Sequence, residues 1–231
     1  MNVKVMRPKR STSYPLFVGL VAALLFLIAA SFAPAVSKAH SAEVPKIVVL
    51  GDSLSAGHQL PPENAFPVRL QAALDAKGVK AKVVGAAVSG DTTSSGLSRL
   101  DWSVPEDTDA VILELGANDA LRGLPVAKAE SNLDKILARL KERKISILFA
   151  GMMAPPNMGD TYGKKFNAIF PALAEKYGAV FYPFFLDGVA AQPKLNLADG
   201  IHPNPEGIDV IVERILPKVE ELIARTASGG S

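Results

Sequence analysis

Lys46-Ile47-Val48-Val49-Leu50-Gly51-Asp52-Ser53-Leu54-Ser55-Ala56-Gly57 is the stretch that decides the fold. Residues 47–50 are apolar, mostly β-branched and few, and they stop at a glycine, as a buried strand does. The chain then delivers a serine just past the strand end. In open α/β sheets the carboxyl ends of the strands are where ligands sit. Ser53 is there either as a nucleophile or as the cap of the next helix, since serine is a favoured cap. The choice depends on what else the chain brings to the same end.

The alternation of strand and helix continues outward from that stretch. Positions 64–77 carry Phe66, Leu70, Ala73 and Leu74 at helical spacing, with Gly78 as a stop. A second strand is predicted at 80–87, centred on Val83 and Val84, leading to Gly90 and to Asp91 or Thr92 as a helix cap. A third is predicted at 109–115, leading to Gly116-Ala117-Asn118-Asp119. A long amphipathic helix follows at 126–144, then a fourth strand at 145–150 and a loop at 151–159 rich in Met and Pro. A helix at 165–177, a short fifth strand at 179–182, a polar loop at 196–205 and a closing helix at 206–224 complete the chain, with Pro217 expected to kink or shorten the last helix. Such alternation predicts a parallel sheet covered by helices on both faces. By analogy with flavodoxin-like folds the strand order is 2-1-3-4-5.

The beginning is different. Lys4, Arg7, Lys9 and Arg10 precede a long uncharged stretch at 16–35, and small residues follow at Ser37-Lys38-Ala39 and His40-Ser41-Ala42. A basic head, an apolar middle and small residues predict a cleaved export signal. The alternative is an uncleaved membrane anchor through residues 14–36. The expected organisation is thus a leader at 1–42, one catalytic domain at 43–225 and a flexible tail at 226–231. Residues 1–42 hold five basic residues and no acid; the whole chain carries +2, so the remainder carries −3. The net positive charge therefore belongs to targeting and gives no support for nucleic-acid binding. The absence of Cys excludes disulfides, thiolate catalysis and cysteine metal sites.

The polar oddities all follow strand ends. Ser53 follows the first strand, Gly90 the second, Asn118 the third and the Asp199-Gly200-Ile201-His202 loop the fifth. Parallel strands share a direction, so these residues are expected along one rim. A serine nucleophile needs a base, and the base needs an orienting acceptor. Of the three histidines, His40 leaves with a cleaved leader, and His58 has no carboxylate placed in sequence to orient it. His202 has Asp199 three residues before it, within reach across one tight turn. An oxyanion needs donors. The Ser53 and Gly90 backbone N–H groups and the Asn118 amide would supply three, although a turn glycine and a helix cap are the plain alternatives for the last two. There is no Gly-x-Ser-x-Gly elbow.

Four blocks, Gly51-Asp52-Ser53-Leu54, Ser89-Gly90-Asp91, Gly116-Ala117-Asn118-Asp119 and Asp199-Gly200-Ile201-His202-Pro203, resemble those of the SGNH (GDSL) hydrolase superfamily. The chain looks most like its small bacterial periplasmic thioesterase, lysophospholipase and arylesterase branch. That resemblance implies Ser53 as nucleophile, His202 as base and Asp199 as its orienter. It implies an oxyanion hole of Ser53, Gly90 and Asn118, and a three-layer α/β/α sandwich needing no metal or cofactor. The expectation is a monomeric serine esterase acting on small acyl esters, acyl thioesters or lysophospholipids through an acyl-enzyme. Its membrane contact would be limited to an uncleaved N-terminal segment. Two alternatives are a carbohydrate acetyl esterase and a non-catalytic binding module on the same fold. The Met152-to-Gly159 loop departs from the more polar stretch usual in this branch. Met153 and Met158 in that loop are candidate substrate-binding residues, either lining an acyl groove or packing beneath the loop.

Overall fold

The structure, a computed structural model, describes Met1 and residues 44–227. The predicted leader with its two cleavage positions, His40 and residues 228–231 lie outside the described residues. Five parallel strands, β1 (Lys46–Gly51), β2 (Lys82–Gly85), β3 (Ala110–Glu114), β4 (Ser146–Ala150) and β5 (Val180–Tyr182), form one sheet in the order β2-β1-β3-β4-β5. That is the predicted order.

Eight α-helices lie among the described residues: α1 (Ser53–Ala56), α2 (Phe66–Ala76), α3 (Thr93–Ser98), α4 (Leu100–Ser103), α5 (Ala117–Leu121), α6 (Val126–Glu142), α7 (Asp160–Tyr177) and α8 (Pro205–Ala227). Helices α2 and α8 pack together on one side of the sheet, and α3, α6 and α7 pack in succession on the other. The result is a three-layer α/β/α sandwich. Its middle strands are buried from end to end: every residue of β3 and β4, and all of β1 after Lys46. Both of their faces are covered, which is why their centres read as apolar runs rather than alternating ones. Phe149, Phe166 and Phe170 fill one interlayer space with ring centroids 5.4 Å apart, and Phe66 meets Phe185 in the other. Each such side chain contributes about 1.5–3 kcal/mol of burial.

Three details differ from the sequence expectations. Helix α8 runs through Pro217 without a break, and it extends over Thr226 and Ala227, two positions into the expected tail. Its apolar face, from Ile208 to Leu222, is buried against the sheet, and that packing outweighs one missing backbone donor. Helix α7 starts at Asp160 rather than 165 and carries Pro171 inside. The short helices α3, α4 and α5 have no periodic signature in the sequence, because four to six residues are too few to display a 3.6-residue period.

Candidate active site

Ser53 is the first residue of α1, directly beyond β1. It does not cap that helix. Asp52 does, its Oδ1 accepting the Leu54 N–H at 3.0 Å. The turn from β1 into α1 is tight because Gly51 has no side chain: a Cβ there would collide with Ser55 Oγ and Glu114 Oε2. Ser53 is 8 % exposed, which leaves its hydroxyl within reach of a ligand while its backbone is held.

The Asp199–His202 loop lies opposite. Leu197 N–H donates to the His202 carbonyl at 2.8 Å, Asn196 pairs with Pro203, and Gly200 takes a left-handed φ of 68° between them. Asn196 Nδ2 donates to the Val189 and Gln192 carbonyls, anchoring the loop below. Within it, Asp199 Oδ1 accepts the N–H groups of Ile201 and His202 at 2.8 and 3.0 Å, and Oδ2 lies 2.7 Å from His202 Nδ1. The His202 N–H first, then the Ile201 N–H and the His202 ring, hold the Asp199 carboxyl down at about 2. An ionised Asp199 fixes the tautomer with the proton on Nδ1 and leaves the Nε2 lone pair as an acceptor. His202 Nε2 stands 2.9 Å from Ser53 Oγ. Hydroxyl, imidazole and carboxylate are thus in one relay across 149 residues of sequence.

The three candidate oxyanion donors come from three strand ends. Among the described residues the Ser53 and Gly90 N–H groups make no hydrogen bond. Gly90 adopts a φ of 86°, and Arg122 Nη2 donates to its carbonyl at 2.9 Å. Its neighbour Thr92, rather than Asp91, caps α3. Asn118 is not a cap either: Gly116 holds that position, and Asn118 sits one residue inside α5 with its Nδ2 donating to Asp52 Oδ2 at 3.2 Å. One amide hydrogen is therefore spoken for and the other is left to point elsewhere.

Several positioning residues carry no signal that sequence reasoning could use. Arg99 pairs with Asp91 at 2.6 Å and also donates to the Ala86 and Gly51 carbonyls, tying the Gly90 loop to the end of β1. Asp119 accepts from Thr93 N–H at 2.8 Å and Thr93 Oγ1 at 2.7 Å, and Asn132 donates to the same hydroxyl. This buried knot joins α3 to α5, and so fixes the spacing of Gly90 and Asn118. Beneath Ser53, Glu114 Oε2 accepts Asp52 N–H and Ser55 Oγ–H, while its Oε1 has no partner. Burial first, then the Asp52 charge, pushes the Glu114 carboxyl well up. Burial likewise pushes Asp52 up to about 6, against the Leu54 and Asn118 hydrogen bonds. Two carboxyls this close in an apolar floor cannot both ionise cheaply. A lone Glu114 inside an apolar strand is a visible oddity in the sequence, but its partner is not.

His58 is brought closer than its sequence position suggests. Its ring lies 4.3 Å from that of His202, centroid to centroid, while Asp199 bonds His202 and not His58. The methionines divide. Met152 is buried, Met153 is 51 % exposed, and Met158 lines a cavity of about 510 Å³ with Val126, Asp160, Tyr162 and Lys165.

An imidazole bridging a hydroxyl and a carboxylate at the carboxyl-end rim of a parallel sheet defines a site for nucleophilic acyl transfer. Comparison with known proteins agrees with that class. Residues 49–210 match the GDSL-like lipase/acylhydrolase family. An arylesterase of Vibrio mimicus is 42 % identical over 169 residues, which is 73 % of this chain and 84 % of the relative. Thioesterase 1/protease 1/lysophospholipase L1 of Escherichia coli K12 is 34 % identical over 200 residues, 86 % of this chain and 91 % of the relative. The solved structure of AlinE4, an SGNH-hydrolase family esterase, matches with a TM-score of 0.66 and 43 % identity, covering 78 % of this chain and 96 % of that one. The chain belongs to the GDSL-like lipase/acylhydrolase (SGNH) family. It is a carboxylic ester hydrolase.

Proposed function

We propose that the chain is an exported serine esterase that cleaves acyl esters and acyl thioesters through an acyl-enzyme on Ser53. One observation carries the assignment: His202 Nε2 is 2.9 Å from Ser53 Oγ while Nδ1 is 2.7 Å from Asp199. His202 accepts the Ser53 proton at Nε2 as Oγ attacks the acyl carbonyl. It then returns that proton to the leaving alkoxide or thiolate, and it later activates the water that frees the acid. Asp199 stays ionised and stabilises the transient imidazolium. The tetrahedral oxygen lies against the Ser53 and Gly90 N–H groups and the free hydrogen of Asn118 Nδ2, donors rigidly held before the charge develops.

Lysophospholipids and aryl esters fall within the same chemistry, since only the leaving group changes. Half-exposed Met153 and cavity-lining Met158 are the proposed acyl contacts. Their thioether chains are polarizable and adapt to apolar ligands of differing length. The basic head and apolar run before residue 43 support export. No helix among the described residues is long and apolar enough to cross a membrane.

Ser53→Ala tests the central claim. It should abolish turnover of p-nitrophenyl acetate and covalent labelling by a fluorophosphonate, and labelling that persists on the Ala variant rejects Ser53 as nucleophile. Cell fractionation tests the address: mature protein outside the cytoplasm supports cleavage, and full-length protein in the membrane supports the anchor.

A further inference from the structure

His58 takes no part in the proposed acyl transfer, yet the backbone around it is specifically shaped. It follows the left-handed cap Gly57, φ 75°, and precedes Gln59, a non-glycine residue at φ 58°. That turn lays its ring at 4.3 Å from His202, tilted by 39°. Among the described residues the His58 ring nitrogens make no hydrogen bond. One ligand atom from each of His58, His202 and Asp199 lies within 4.8 Å of the other two, with the two histidines half-buried and Asp199 exposed.

We propose that His58, His202 and Asp199 form an inhibitory site for Zn²⁺, resting for its effect on the esterase assignment above. Two imidazoles and one carboxylate are a recognised zinc ligand set, with a fourth position left for water. Bonds of about 2.0–2.2 Å to a tetrahedral ion set ligand atoms about 3.4 Å apart, so small side-chain rotations close the present spacing. Nothing in the hydrolytic cycle needs the metal. Its effect follows from which lone pair it occupies. Asp199 faces Nδ1, so an ion shared with Asp199 binds His202 at Nδ1 and displaces the hydrogen bond that orients the ring. The ring proton then sits on Nε2, whose lone pair can no longer accept the Ser53 proton. The base is withdrawn without any change in the sheet or its helices. His58 supplies the second nitrogen that raises a single accessible imidazole to a chelating site. Imidazole suits Zn²⁺ far better than Mg²⁺ or Ca²⁺, which prefer all-oxygen shells.

The experiment is a pair of Zn²⁺ titrations of the full-length protein, one by calorimetry and one by p-nitrophenyl acetate turnover, with EDTA added at the end. Wild type should bind one Zn²⁺ and lose activity over the same concentration range, with recovery on chelation, whereas equal Mg²⁺ or Ca²⁺ has no effect. His58→Ala and His58→Phe should each weaken both readouts at least tenfold. The Phe variant keeps the ring against His202 and removes only the ligand nitrogens, so the part played by packing is separated from that played by coordination. Equal Zn²⁺ sensitivity in wild type and both variants overturns the proposal, as does the absence of calorimetric binding at millimolar Zn²⁺. The calorimetric arm does not depend on turnover. Binding without inhibition would count against the esterase role of His202, and binding that ignores His58 would count against the metal site.

Discussion

Replacing Asp52 by asparagine should separate stability from activity. Asp52 is fully buried, and its two oxygens accept two N–H groups, Leu54 N–H at 3.0 Å and Asn118 Nδ2 at 3.2 Å. Asparagine offers one acceptor for those two donors. The backbone N–H of Leu54 cannot turn, whereas the Asn118 side chain can. The new oxygen therefore stays with Leu54, and the new NH₂ faces the Asn118 amide. Asn118 swings away, and a displaced oxyanion donor lowers kcat by at least about tenfold, up to the ~10²–10³ of outright removal. Stability should move the other way with pH. The Asp52 carboxyl is raised from 3.8 to about 6, so the folded state holds its proton more tightly than the unfolded state. Stability from this group is complete below pH ~4 and is lost as the pH rises through about 6. Two units at ~1.36 kcal/mol each put the loss on the order of 3 kcal/mol above pH 7. Asparagine does not ionise and escapes it. For a domain of this size that corresponds to about 6–12 °C, so the melting temperature of the variant should gain on wild type by this order between pH 4 and pH 8. Calorimetric melts at the two pH values, with p-nitrophenyl acetate kinetics at pH 8, measure both effects. A kcat within about threefold of wild type, together with a melting difference that does not change with pH, refutes both the positioning role and the buried-charge argument. A double-mutant cycle with Asn118→Ala sharpens the test, because Asp52→Asn should cost nothing further once Asn118 is gone.

Asn118→Ala alone should lower kcat about 10²–10³-fold while costing in stability only the buried hydrogen bond to Asp52, about 1–3 kcal/mol, since Gly116 and not Asn118 caps α5. A variant that melts much earlier and keeps its kcat would return Asn118 to a structural role. Met153 and Met158 changed together to Ser should reduce turnover of octanoyl esters tenfold or more while sparing acetyl esters, at about 0.8 kcal/mol for each acyl methylene left in water. An equal drop on both substrates, or one that tracks a lower melting temperature, would place these side chains in packing rather than in the acyl site.

The amino-acid sequence by itself determined the strands and the long helices, because strand cores buried on both faces must be continuous apolar runs and long helices must show a 3.6-residue stripe. Residues 47–50 and 109–115 are legible for that reason, and so is the succession Ser53, Gly90, Asn118, His202, since each follows a strand end. The Asp199–His202 pair is legible too, because three residues across a glycine turn is a local relation. Tertiary structure decided whatever depends on distance across the chain. Helix boundaries moved where packing overrode a local signal: α8 passes Pro217 because its buried face carries it. The clamp from Arg99 to Gly51 spans 48 residues, and the Glu114–Ser55 bond spans 59. His58 meets His202 only because β1 and the last loop end on the same rim. Nothing local distinguishes the buried aspartate of Gly51-Asp52-Ser53 from a surface turn residue. Its pairing with Asn118 on one side and its nearness to Glu114 on the other exist only once β1 and β3 lie side by side in register.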